Sequence, residues 1–584
     1  MMKKTNILIK LLFVLTITVG ITSCEDFLNR PTEDQYTIEQ FYRTDEQCQQ
    51  AANLLYSSPW FDFIRGWLKV GDVQSGNIYW GGEDTDAAGG ALPFMNLAVP
   101  SSSITLKQMS EALWAVNAHC NGVIENINMY AGPATTEKGR NAAKGEALVW
   151  KAMSYFYLVR IWGAVPIIHS NSQTIAEGNY NQLYKAKIEN VYDYIILTLD
   201  QAVEWLPEHP KQAGRIDKYS AYALLAKVYL TKSGYGHTGS RSQEDLNRAK
   251  EYAHKVIYDS GRRLTLDYAS IFRPENNISD ESLIAWRWIV PSTYTCNNPL
   301  QSEFAAKGFD EYNCWGGYRG PSVDLQDAFG VTALIEKRSP VNYDQDKRRK
   351  VTMMMYGDHY DYFWKDKGGF DWTPFYKSIV GTFQTPTGAN VAKHLVGNNA
   401  DHVAALGVGL EEQRTGLATH VLRLGDIYLI YAEAILGNDA STSDAEALKA
   451  FNAVHHDRAG LPGATSITFE DIWKERHLEL AVEGDYWYDF VRLSYYNPDL
   501  AISKLKAQHR KDYVGLDDYY KQDSPTIGVD NNSGKPTPRY NDDAANLNVP
   551  SKEIFYAKFP DTDLSMNPRL MEEPVEYDLN GYAY

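Results

Sequence analysis

The sequence is short of three things, and each shortage removes a class of protein. Cysteine is scarce, with five in 584 residues. None sits in a CxxC pair or at a Cys/His ligand spacing, which excludes a zinc framework and a disulfide-built scaffold. Positive charge is in deficit, with a formal net charge of −17 at pH 7, so nucleic acid would be repelled and a neutral or cationic partner is favoured. Long apolar runs are missing after the first two dozen residues, so no later stretch reaches the roughly 20 residues a membrane span needs. Signatures of chemistry are missing too: there is no GxSxG nucleophile turn, no HExxH helix and no phosphate-cradling GxxxxGK loop. No catalytic residue is assigned, and the chain is read as not an enzyme.

At the start of the chain, Lys3, Lys4 and Lys10 lead into an apolar run over residues 11–21, the length of a signal-peptide core. The run ends in Ile21-Thr22-Ser23-Cys24, which resembles the lipobox of bacterial lipoproteins; an ordinary secreted protein with a chance cysteine is the alternative. Glu25 and Asp26 resemble the export tag of surface-exposed lipoproteins in Bacteroidetes. The reading is a signal peptide over 1–23, lipidation at Cys24, a tether over 24–36 and attachment to a membrane through N-terminal acyl chains.

What the chain has in quantity is amphipathic helix. In residues 142–162, Leu148, Ala152, Tyr155, Val159 and Trp162 recur at four- and three-residue steps, and Val149, Met153 and Phe156 cover the neighbouring side. So wide an apolar surface must be covered by other elements, since exposing it forfeits roughly 25 cal/mol per Å². Helices are predicted over 37–56, 103–130, 187–205 and 218–231, and capping patterns start others at Ser242-x-x-Asp245, Ser443-x-x-Glu446 and Thr468-x-x-Asp471. A further helix is predicted over 420–436. Successive helical pairs with small residues at their contacts read as tetratricopeptide-like repeats. The fold class is therefore mostly α: a helical scaffold over 37–263 with a loop segment at 60–94, an irregular insertion with short strands over 264–416, scaffold again over 417–495, and an irregular part over 496–584.

The heavy aromatic load, 14 Trp and 40 Tyr, concentrates partly on Gly- and Asn-rich loops. Sugar rings stack their C–H faces on aromatic side chains and exchange hydrogen bonds with Asp, Asn and Arg. Three loop groups offer this: Tyr79-Trp80 with Asp72 and Asn77; Trp288, Tyr294, Trp315, Tyr318 and Arg319; and Trp364 with Trp372. Trp80 and Trp315, each followed by two glycines, are the leading candidates for a stacking platform, with core filling as the alternative for each ring. Glu475, Glu479 and Glu483 share a helix face at four-residue steps, as an acid/base pair could, but Arg476 and Arg492 are near enough to neutralise them, and structural ion pairing is the preferred reading. His455-His456-Asp457 reads as a cap or surface contact. Asp530-x-Asn532-x-Gly534 resembles the opening of a calcium loop with Asn541 where its closing Glu would fall, so no cofactor or metal is assigned and structural calcium stays open. Cys296 and Cys314 flank an aromatic loop and are left open as paired or free.

Taken in order, these segments resemble the SusD/RagB family of outer-membrane nutrient-binding lipoproteins: SCEDFLN, KGEALVWKAMSYFYLVRIWGAVPII, GRIDKYSAYALLAKVYL, VLRLGDIYLIYAEAI, FNAVHHDRAGL, IWKERHLELAVEGDYWYDFVRL, VPSKEI and Asn567-Pro568. The resemblance implies a right-handed superhelix of four tetratricopeptide-like units carrying a ligand-binding insertion. It implies a lipid-anchored, surface-exposed outer-membrane protein that captures oligosaccharides, or in some members peptides. The partner it implies is a SusC-like TonB-dependent transporter, on which the protein sits as a lid. At His455 or His456 the family usually has Arg, which touches only a scaffold contact.

Overall fold

The computed structural model describes residues 38–80, 90–290, 292–312, 314–334, 345–372, 386–514, 516, 539–540, 552–582 and 584. Cys24, the signal segment, the calcium-like opening Asp530-x-Asn532-x-Gly534 and Asn541 lie outside the described residues.

The predicted first helix is broken. A short helix at Ile38–Phe41 stops, and Thr44 starts a new one at Asp45–Ala51 by accepting from the Gln47 amide while the Gln47 side chain takes the Thr44 amide. This reciprocal capping ends one helix as firmly as it begins the next. Helix α1 (Phe61–Leu68) follows and runs into a π-helical turn at Lys69–Val73.

The scaffold proper comprises α2 (Ile104–Tyr130), α3 (Glu137–Trp162), α4 (Ile188–Trp205), α5 (Lys218–Lys232) and α6 (Gln243–His254), each packed on the next. Ser103 caps α2, Thr136 caps α3, and Gly163, at φ 75°, ends α3. Every residue of α3 from 143 to 162 is buried, which accounts for its unusually broad apolar surface. Its charged positions are buried too, so each needs a partner: Arg215 pairs with Glu146 at 2.8 Å, and the Lys151 ammonium donates to Asn121 Oδ1 at 2.7 Å and to the His169 carbonyl at 2.9 Å.

After a loop-rich insertion the scaffold resumes with α7 (Leu424–Leu436), which packs on α6, then α8 (Ala445–Asn452), α9 (Phe469–Glu479) and α10 (Tyr486–Ser494). Strands are few and short: β1 (Ile78–Trp80), β2 (Ser282–Trp286), β3 (Arg319–Pro321), β4 (Met353–Met355), β5 (Ala389–Val391) and β6 (Thr419–Arg423) are the ones that position the insertion. β2 and β6 pair antiparallel, Trp286 opposite Thr419 and Ser282 opposite Arg423, so the two ends of the insertion are stitched together. That pairing draws 419–423 into a strand, and the predicted helix from 420 begins only at Leu424. Asp444, not Ser443, caps α8 by accepting from the amides of Glu446 and Ala447.

The glutamates on and after α9 lie in a buried ion network. Arg348 contacts Glu475 at 2.5 Å and Glu479 at 2.9 Å; Arg458 contacts Glu479 at 2.6 Å; Arg423 and Lys393 contact Glu483 at 2.6 and 2.8 Å. Burial alone would raise the Glu479 carboxyl, but Arg423, Arg458 and Arg348 hold it well below the usual carboxylate range. Arg476 and Arg492, which the sequence places near enough to neutralise these glutamates, serve other carboxylates instead. Arg476 pairs with Asp426 and Asp489, and Arg492 with Glu433 and Asp489. Helix α9 ends at Glu479, and Val482 turns with φ 62°, so Glu483 lies beyond the helix on which its spacing had placed it. His455 Nδ1 donates to the Glu475 carboxylate at 2.7 Å and its ring stacks on Phe451, a scaffold contact.

Candidate functional site

The loop aromatics separate into covered and uncovered rings. β1 and β3 pair with Trp80 opposite Arg319 and Tyr79 opposite Gly320. Gly320 meets β5 so closely that a Cβ there would lie 2.1 Å from the Ala389 carbonyl oxygen, so no side chain is tolerated at the crossing. The pairing lays the Arg319 guanidinium 3.7 Å from the Trp80 ring centroid, with Phe304 edge-on at 5.9 Å and Lys69 at 5.4 Å. Trp80 is 2% exposed. Its faces are occupied by the protein, and it is a core residue of this region rather than the open platform expected.

Asp72 and Asn77 are interior as well. Asp72, in the π-helical turn after α1, accepts from the amides of Val482 at 2.8 Å and Gly484 at 2.6 Å and from Asn77 Nδ2 at 2.8 Å. Asn77 Oδ1 meets His477 Nε2 at 2.5 Å. Burial pushes the Asp72 carboxyl up to about 6, against the lowering by those three donors. The pair latches the α1 region to the turn after α9 and faces no solvent. Trp288 is buried, donating its indole N–H to Thr419 Oγ1 at 3.0 Å, and Trp372 is buried, donating to Asn390 Oδ1 at 2.9 Å. Trp364 is half-buried, donates to the Phe309 carbonyl at 2.9 Å and carries Lys367 over its ring at 4.3 Å.

Trp315 differs from all of these. Its amide donates to the Ser302 carbonyl at 3.0 Å and the Gly316 amide to Ala305 at 2.9 Å, which pins the turn. A Cβ on Gly316 would lie 2.1 Å from the Glu303 oxygen, so the glycine after Trp315 is needed for close backbone approach. The half-buried Trp315 ring has no aromatic ring stacked on it among the described residues, and no described acceptor takes its indole N–H. Half-buried Tyr318 follows on the same turn, and the buried Glu303 bridges Arg319 at 3.6 Å and the exposed Arg65 at 3.5 Å. Tyr294 is 37% exposed; its ring stands edge-on to Phe61, Arg414 lies 5.3 Å from its centroid, and its hydroxyl donates to Gln413 Oε1 at 2.8 Å. The structure thus keeps Trp315, Tyr318 and Tyr294 at the surface and withdraws Trp80, Asp72, Asn77, Trp288 and Arg319. Arg65, Glu303, Gln413 and Arg414 were not anticipated. Arg65 lies within the stretch read as a loop segment over 60–94, where the structure instead has α1, and the Gln413-Arg414 turn, with Gln413 at φ 60°, is an irregular polar segment of the insertion. Cys296 and Cys314 are both free, Cys314 buried.

A stack of paired helices interrupted by a strand-stitched, loop-rich insertion with aromatic rings at its surface defines a helical-repeat protein with a large irregular insertion. The chain belongs to the SusD family, whose model matches residues 270–575, and a second model, described as starch-binding associating with outer membrane, matches residues 111–230. A SusD-like protein of Bacteroides ovatus is 30% identical over 583 residues, 98% of each chain. Among solved structures, one aligns with a TM-score of 0.78 at 28% identity over 92% of this chain and 100% of its own. Another, a crystal structure with xylogluco-oligosaccharide, aligns with a TM-score of 0.73 at 27% identity over 91% of this chain and 99% of its own.

Proposed function

We propose that this protein is a non-catalytic, lipid-anchored binding protein of the outer cell surface. It captures oligosaccharides or polysaccharides on the Trp315 turn and delivers them to a SusC-like TonB-dependent transporter. The observation that carries the ligand class is the half-buried Trp315 ring, on which no described ring stacks, held on one turn with Tyr318 and pinned by its backbone to the segment that carries Glu303: an apolar face for the C–H side of a sugar with polar groups near in the chain for its hydroxyls. The 27% identical relative holding a xylogluco-oligosaccharide supports the same chemistry. Glycoside hydrolysis needs two carboxylates facing each other across a cleft, one protonated and one free. Glu475, Glu479 and Glu483 fail that need because each is consumed by buried arginine or lysine.

A glycan and peptide array probed with the chain lacking residues 1–24 tests the ligand class; binding is expected on the glycan arm without product formation, and binding confined to peptides would replace this reading by peptide capture. Cys24→Ala should abolish acylation and release the protein from membranes, and incorporation of labelled palmitate into that variant would refute the anchor. Purification of the tagged native protein in mild detergent should bring down a barrel protein of much larger mass. Recovery of the protein alone in several detergents would count against the transporter.

A further inference from the structure

A cleft of about 1050 Å³ opens on the helical scaffold, lined by α4, α5, α6 and the last residues of the chain. Tyr222 and Tyr229 stand seven residues apart on α5, two helical turns, so both point to one side. Tyr252 of α6 packs between them, its ring 5.6 Å from Tyr222 at 23° and 5.8 Å from Tyr229 at 24°. Lys255 lies 5.0 and 5.2 Å from the Tyr222 and Tyr252 ring centroids. Tyr252 is thus stacked on both neighbours, and the ammonium shares the Tyr222 and Tyr252 rings.

The opposite wall is acidic. Asp193 and Asp200 of α4 are also seven apart, with Glu204 one turn further on. None of the three makes a hydrogen bond or ion pair among the described residues. The cleft's own cations are occupied: Lys232 pairs with Asp245 at 3.3 Å and Lys255 with Glu251 at 2.9 Å. Partial burial raises both aspartate carboxyls above their ordinary value, against lowering by Lys232 near Asp193 and Arg248 near Asp200 and with a smaller push from Asp245 and Glu204; a further positive charge would relieve what remains.

The neighbouring stretch of groove already holds an extended chain, the protein's own. The Val575 amide donates to the Lys185 carbonyl at 2.8 Å and the Val575 carbonyl accepts from the Lys187 amide at 3.0 Å. The Tyr577 amide donates to Asn190 Oδ1 at 3.0 Å, and the Tyr584 hydroxyl lies 2.8 Å from Thr198 Oγ1 on α4. Tyr582 and Tyr584, beyond a turn closed by the Tyr582 amide on the Leu579 carbonyl, line the open cleft, so the cleft adjoins the strip of α4 along which this extended segment lies.

We propose that this cleft docks an extended segment of a partner protein, with lysine or arginine side chains paired to Asp193 and Asp200 and backbone or side-chain donors met by the tyrosine hydroxyls. The two carboxylates are roughly 10 Å apart along the helix, the reach of about three extended residues. The proposal stands apart from the Trp315 turn and does not depend on what that turn binds.

The test is fluorescence anisotropy of a fluorescein-labelled peptide of four Lys-Ser repeats titrated with the chain lacking residues 1–24. Saturable binding is expected, weakened at least ten-fold by the pair Asp193→Asn and Asp200→Asn. The exposed control pair Asp439→Asn and Asp457→Asn should change it less than two-fold, and Trp315→Ala should leave it unchanged. Charge reversal, Asp193→Lys with Asp200→Lys, should instead confer binding of a peptide of four Glu-Ser repeats. No saturable binding, or equal losses in the groove and control pairs, would overturn the proposal. Displacement of the labelled peptide by xylogluco-oligosaccharide would assign the cleft to glycan and overturn it equally.

Discussion

Trp80 and Trp315 look alike in sequence, each followed by two glycines, yet they occupy opposite environments. Removing the Trp80 indole would empty a space enclosed by Arg319, Phe304 and Lys69, so Trp80→Ala should cost about 3–5 kcal/mol of stability. Trp315→Ala should hardly move the melting temperature, because no described ring packs on it, and should weaken binding of the array-identified glycan by about 1–3 kcal/mol. A thermal melt and a calorimetric titration of each variant separate the two. Loss of affinity with unchanged stability at Trp80, or the reverse at Trp315, would contradict the assignment. The local signal of aromatic plus glycine identifies an irregular backbone but carries nothing on whether a distant strand covers the ring. For Trp80 that strand is β3, supplied by the insertion.

At the scale of elements, two junctions deserve a test. The first is the meeting of the π-helical turn after α1 with the turn after α9. Gly71 and Gly484 touch backbone to backbone, a Cβ on Gly484 would lie 2.1 Å from the Trp67 ring, and Gly484 has φ 70°. Both space and conformation demand glycine there, so Gly484→Ala should destabilise by about 2–4 kcal/mol, measured by urea denaturation; a change under 0.5 kcal/mol would refute the argument. The second is the β2–β6 seam, where His420 Nε2 lies 2.9 Å from the Ile271 carbonyl and Nδ1 3.2 Å from Ser282 Oγ. Burial holds this imidazole down to about 4, against an ordinary value of 6.5. A base whose folded value is depressed contributes stability that is present above the unfolded value and lost as pH falls through the window from about 6.5 to about 4. The stability gap between the wild type and His420→Gln should therefore narrow by about 1.4 kcal/mol per pH unit below pH 6.5. A gap that stays constant between pH 7 and pH 5 would show that His420 is not held neutral.

For the whole molecule, the insertion and the scaffold share one apolar core: Trp286, Leu300 and Phe304 of the insertion pack in the same cluster as α3 and α10. The buried ion network crosses the same boundary, from Arg348 and Lys393 to Glu475, Glu479 and Glu483. Breaking such pairs one at a time leaves uncompensated buried charge, so the two parts should unfold together. Thermal transitions followed by far-ultraviolet circular dichroism and by tryptophan fluorescence should coincide, and a separate early transition of the tryptophan signal would argue for an independently folding insertion. The amino-acid sequence by itself determined the helices of the scaffold, because a helix is a local object whose period, caps and stops are written within twenty or so residues: α2, α4 and α5 begin and end within a residue of their predicted bounds, and α3, read over 142–162, ends where the pattern put it and starts earlier, at Glu137. It also determined that the acidic residues around α9 would be paired with arginine, since charge that dense cannot be buried alone. Only the tertiary structure decided which arginine serves which carboxylate, that 419–423 is a strand, that Asp72 and Asn77 are a latch, and that Trp80 is covered while Trp315 is left half-buried with no described ring on it. Each of those depends on a partner brought from a remote part of the chain, and no local pattern encodes the distance between segments that meet only when the insertion closes on the scaffold.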